Sequence, residues 1–143
     1  MGLTHHWHRP TELPTDDFRA AVEDCRKLIE CGNVSIAGFD GTGEPILDDE
    51  RIIFNGEGPT ACEPFEIAAV EFDRRGRPDL FGHCKTEHQP YDLYVKAVLI
   101  VFSHHLNKSF LVSSDADNSD WDDARSLVQE HLGYRSAFQL ANE

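Results

Sequence analysis

Positive charge is scarce in this chain. Lys and Arg total 13 against 26 Asp and Glu, a formal charge of −13. Such a balance repels phosphate backbones and anionic lipid surfaces, so no direct nucleic-acid or membrane binding is expected. It suits solubility, or attraction to a basic protein surface. Long apolar runs are missing as well. The longest, from Val95 to Phe102, is interrupted by Lys96 and falls far short of the roughly 20 residues that cross a bilayer. No basic stretch followed by an apolar one opens the sequence, so a secretory signal is not expected. There is no C-x-x-C pair. Cys25, Cys31, Cys62 and Cys84 are scattered, and without export the expectation is reduced thiols in a cytoplasmic protein.

Catalytic signatures are equally sparse. Neither G-x-x-x-x-G-K-[ST] nor G-x-G-x-x-G is present, and Glu44 within Gly41-Thr42-Gly43-Glu44-Pro45 would repel a phosphate. H-E-x-x-H is absent. The stretch Asp115 to Asp120 fails as a calcium loop, because Asp120 stands where the turn needs Gly and Ser126 where a bidentate Glu is needed. No cofactor and no metal are therefore expected.

What is present fits a globular chain. With 143 residues, 40% hydrophobic and 27% charged, one self-sufficient core is affordable. No repeat, low-complexity tract or linker divides it, so residues 1–143 are expected to form a single domain. Leu3, His5 and Trp7 alternate with Thr4, His6 and His8, which predicts a strand with Trp7 inward. Phe18, Val22, Cys25 and Ile29 recur at helical spacing after Thr15, a candidate N-cap, and Gly32 is a candidate left-handed terminator. Short strands are predicted at Val34–Ala37, Arg51–Phe54, Pro64–Phe72, Leu80–Cys84 and Ser109–Ser113, with Asn55-Gly56 as a turn. A helix opening near Pro90 and apolar on every side from Leu93 to Phe102 would be buried. A last helix carries Trp121, Ala124 and Val128 inward, with a capping box over Ser119–Asp122 and Gly133 at its end. The expected fold class is α+β: an antiparallel, meander-like sheet packed by about three helices.

Three groups of residues could carry function. His83-Cys84-Lys85-Thr86, His88 and Pro90-Tyr91-Asp92 form the densest reactive cluster, and Cys84 beside Lys and His could be a nucleophile or an inert core residue. His6 and His8 share a strand face and could bind zinc with a distant third ligand such as His104, although nothing fixes a four-ligand set. Two acidic blocks, Asp40, Glu44, Asp48, Asp49, Glu50 and Asp115, Asp117, Asp120, Asp122, Asp123, would form one anionic patch if they fell together.

Taken as a set, Gly2-Leu3-Thr4-His5-His6-Trp7, Gly41-Thr42-Gly43-Glu44-Pro45, Phe54-Asn55-Gly56, Cys84-Lys85-Thr86 with Pro90-Tyr91-Asp92, His104-His105 and Ser113-Ser114-Asp115 span nearly the whole chain. In this the sequence resembles a group of small uncharacterised bacterial proteins built on similar motifs. That group favours Gly after Ser-Ser-Asp, where Ala116 stands here. The resemblance supplies no activity. It implies only that a site would lie among His5, Trp7, Cys84, Lys85, Tyr91, Asp92, His104 and Asp115, polar and aromatic positions at strand ends and loops.

Two functional classes follow. One is a small acidic protein-binding module, of inhibitor, immunity or antagonist type, docking on a basic partner surface. The other is a Cys- or metal-dependent hydrolase or transferase. A structural domain with no independent site is the third reading.

Overall fold

The computed structural model describes residues 2–134 and 137–141. The architecture is α+β, three helices packed on antiparallel strands. The strands are β1 (Thr4–Pro10), β2 (Ile36–Ala37), β3 (Ile46–Leu47), β4 (Arg51–Gly56), β5 (Phe65–Ala68), β6 (Asp79–Lys85) and β7 (Leu111–Ser114); the helices are α1 (Thr15–Cys31), α2 (Asp92–Leu106) and α3 (Asp122–Leu132). They form two sheets. In one, β1 is the middle strand in the order β6-β1-β7; in the other, β4 is bordered by β2, β3 and β5. The consecutive strands β2 to β5 form the meander, while β1 pairs only with strands from much later in the chain.

Helix α2 sits at the centre. Ten of its residues from Asp92 to Phe102 are buried, only Leu93 being partly open, so the all-round apolar run does what its pattern requires. Against it lies α1, with Phe18, Ala21, Val22, Cys25 and Leu28 inward. Leu28 fills the place expected for Ile29, which is half-buried. Thr15 does not cap α1. It is the first helical residue, preceded by Pro14, and no side-chain cap bond forms. Gly32 is not left-handed either: its φ of −86° and ψ of 165° continue the chain extended. Its lack of a side chain serves another end, because a Cβ there would fall 1.3 Å from the Tyr94 hydroxyl. Gly133, by contrast, closes α3 at a φ of 76° as expected. The capping box lies two residues earlier than Ser119–Asp122. Asp117 and Asp120 exchange side-chain and backbone bonds across a 3-10 turn at Asn118–Trp121, which then runs into α3.

Asn55-Gly56, a turn signal in sequence, ends β4 as strand. The buried Asn55 amide donates to the carbonyls of Phe39 (3.1 Å) and Cys62 (3.0 Å), and its oxygen accepts from the amides of Gly56 (2.7 Å) and Cys62 (3.0 Å). Asn55 thus satisfies two loops at once, which explains an Asn where the turn reading wanted backbone freedom. Trp7 is inward, directly opposite Gly82 on β6. A Cβ on Gly82 would lie 2.2 Å from the indole, so the glycine makes the space the ring occupies.

Candidate functional site

Because β1 is a central strand, its inward side chains enter the interior with strands on both sides. His5 is fully buried there. Its Nδ1 lies 2.8 Å from Ser114 Oγ, its register partner on β7. Its Nε2 lies 2.6 Å from Asp92 Oδ1, on the first residue of α2. Thr86, just after β6, donates its hydroxyl to the same carboxylate oxygen at 2.6 Å. One helical turn on, Lys96 places Nζ 3.4 Å from Asp92 Oδ2 and 2.9 Å from Asp123 Oδ1, and donates to the Asp120 carbonyl at 2.8 Å. β1, β6, β7, α2 and the start of α3 therefore meet through one polar network. A charge as buried as Lys96 is tolerable only because it has these partners.

The network borders a cleft of about 350 Å³, lined by Leu3, His88, Asp92, Lys96, Asp115 and Asp120 among others. Its floor is shaped by an unusual turn. Glu87 and His88 are consecutive non-glycine residues in the left-handed region, at φ of 53° and 62°. Each such residue costs about 1–3 kcal/mol and persists only where its surroundings hold it. Here the amides of Thr86 and Glu87 both donate to the Leu3 carbonyl, which ties the turn to the chain leading into β1. Burial alone would raise the Asp92 carboxyl. The hydrogen bond and charge of His5, the Thr86 hydroxyl and the Lys96 ammonium outweigh it and hold the group below the ordinary aspartate value. Ser114, His5 and Asp92 form a chain in the order used by serine nucleophiles. The member that lines the cleft is Asp92, whose carboxylate is shared between His5 and the Lys96 ammonium in the same wall.

The motif residues converge here in part. His5 and Asp92 form the network, and Asp115 stands on the rim, its carboxylate accepting the Thr4 amide at 3.1 Å. Trp7, Cys84 and Tyr91 do not reach the cleft lining. Trp7 is core. Tyr91 is buried and donates to the Glu63 carbonyl. The Cys84 thiol is buried against that same carbonyl, and burial is the main cause that pushes its pKa up to about 12. That removes the thiolate a nucleophile needs. Lys85 is on the surface, 3.5 Å from Glu87. His104 is at the other end of α2, about 18 Å away along the helix axis, stacked on Tyr134 at 3.7 Å between ring centroids. It is no third ligand for His6 and His8, which share the outer face of β1. Among the described residues, no three His, Cys, Asp or Glu side chains assemble as a metal set.

The two acidic blocks do not meet. Asp115 is bonded at the Thr4 end of β1. Glu50 is joined through Ala69 to Leu13, just beyond the Pro10 end. Seven strand residues, about 20 Å, separate them. In the first block Asp48 accepts the amides of Glu50 and Arg51, and Asp49 pairs with Arg19 at 3.5 Å. In the second, Asp115 and Asp120 line the cleft and Asp123 pairs with Lys96 in its wall, while Asp117 shares the capping box with Asp120 and Asp122 pairs with Arg125 at 3.0 Å. Thr86 and Ser114 stood within the sequence motifs and His88 within the reactive cluster, but sequence reasoning gave Thr86 and Ser114 no partner and missed Lys96, since nothing in their spacing marks contacts so far along the chain. It also missed Arg9, wholly buried, whose guanidinium donates to four carbonyls and to Glu71 at 2.8 Å.

Comparison with protein-family models, with curated protein sequences and with solved structures returned no match.

Proposed function

We propose that this chain is a small acidic docking module for a basic protein surface, and that it docks with the cleft at the Thr4 end of β1. One observation carries the reading. Asp92, Asp115 and Asp120 line an opening of about 350 Å³, and the one lysine in its wall is already engaged by Asp92, Asp123 and the Asp120 carbonyl. The opening therefore keeps a negative potential that suits an arginine or lysine side chain, with Asp117 held beside it by its capping box with Asp120. Asp48, Asp49 and Glu50 lie outside this surface and act locally at the β3–β4 turn. Nucleic acid and membranes are not partners in this proposal, in keeping with the −13 charge. A reducing cytoplasm is its compartment, in keeping with four free thiols. No helix among the described residues is long and apolar enough to cross a membrane.

The test uses the purified chain and a fluorescent arginine-rich peptide, read by anisotropy over a range of salt. Binding that weakens steeply with salt is expected. The double variant Asp115→Lys/Asp120→Lys should weaken it at least tenfold, and the triple variant Asp48→Asn/Asp49→Asn/Glu50→Gln should leave it within about twofold. Absence of binding at low ionic strength overturns the proposal, as does equal loss in both variants.

A further inference from the structure

We propose that the open face of the β6-β1-β7 sheet is the contact between two copies of this chain. β1 turns His5 and Trp7 into the core and His6 and His8 outward, and among the described residues that outer face leaves His6, Phe81 and Leu111 exposed. In its middle row, His8 stands between Phe81 on β6 and Leu111 on β7. Phe81 is 78% exposed and Leu111 46%, a heavy apolar exposure for adjacent positions on one sheet face. Beside them lies a hollow of about 420 Å³ lined by His8, Phe81, Leu111, Ser113 and Ala141.

Two features select a second copy as the occupant. The first is self-complementarity. A two-fold contact brings the same patch of each copy together, so it needs projection and recess on one surface, and here the Phe81 ring projects beside the hollow. The second is charge. Two chains of −13 repel wherever their carboxylates face one another. The strands β1 and β7 contain no Asp or Glu, and β6 contains only Asp79, which lies 3.6 Å from His8. Glu63 reaches it from outside the strands, 3.6 Å from the outward His83, so approach on this face meets few carboxylates. The sheet's edges are less available: Ala141 donates to the Val112 carbonyl beyond β7, and the Glu63 amide donates to Lys85 at the end of β6. Pairing strand to strand is thus hindered, and face-to-face contact is left.

Sedimentation velocity of the purified chain, from low to high micromolar concentration, tests this. A concentration-dependent dimer is expected, strengthened by added salt because screening reduces the mutual repulsion while apolar contact persists. Phe81→Asp should weaken it at least tenfold with no loss of melting temperature, since the side chain is exposed; Leu111→Lys is the second variant, with the same expectation. A monomer at every concentration overturns the proposal, and so does a dimer that survives both substitutions. Asp115→Lys/Asp120→Lys should leave the dimer intact, and Phe81→Asp should leave peptide binding intact, so this contact and the acidic cleft stand or fall separately.

Discussion

The Nε2 of His5 lies 2.6 Å from the Oδ1 of Asp92, joining the middle strand of one sheet to the first residue of the central helix across 87 positions of sequence. Three of the seven residues in that network, Asp92, Lys96 and Asp120, also line the cleft. The same contact therefore ties the wall of the cleft to the core of the fold.

Because the folded Asp92 carboxyl sits below its unfolded value, its contribution is whole above about pH 4 and is lost as the pH falls through the folded value. Asp92→Asn should cost about 3 kcal/mol at neutral pH, since it leaves Lys96 with one carboxylate and disturbs His5. The variant should also lose less further stability than the parent between pH 4 and pH 2. Urea midpoints measured across that range check both; identical acid slopes would show that Asp92 does not titrate with folding.

Thiol labelling separates the four cysteines by position. Cys31 is exposed and should react first, with the half-buried Cys62 slower. Cys25 and Cys84 are buried with thiols pushed upward, Cys84 to about 12. Both should label only at the rate of unfolding. Fast labelling of Cys84 in the folded chain, followed by peptide mapping, would restore the nucleophile reading.

Gly82→Ala forces a methyl into space held by the Trp7 indole, 2.2 Å away. The expected cost is about 3 kcal/mol, the upper end of overpacking, because both residues sit in a paired register that cannot slide. Trp7→Phe in the same chain should recover part of that loss. A double-mutant cycle by chemical denaturation gives the coupling, and strict additivity would place the clash elsewhere.

Asn55→Ala removes four hydrogen bonds and strands buried backbone groups of Gly56 and Cys62. About 3 kcal/mol is expected. Hydrogen exchange should rise first at Gly56 and Cys62, whose amides lose their acceptor.

Local pattern made much of the fold legible. The stripe from Phe18 to Cys25 gave α1, and the unbroken apolar run after Pro90 gave a buried α2. Alternation through Leu3, His5 and Trp7 gave the inward face of β1. Where single residues were misread, a distant neighbour had overruled local preference. Gly32 yields to the Tyr94 hydroxyl, and Asn55 is held in strand by loop carbonyls on both sides. The candidate site was legible only by composition. His5, Asp92 and Asp115 stood among the candidates and Thr86 and Ser114 in the motifs, but their contacts with one another, and with Lys96, are ones no periodicity encodes. Lys96 looked like an interruption of an apolar run and is instead the cation that balances two carboxylates.

The middle position of β1 also governs the order of events during synthesis. A ribosome releases this strand well before β6 and β7, so its hydrogen-bonding groups wait in solvent while most of the chain is made. Helix α1 and the β2–β5 meander can form from neighbours already released, but the sheet that bears His5 closes only after Ser114 has emerged. Folding of this half is accordingly a late, long-range step, slower than its helices would suggest.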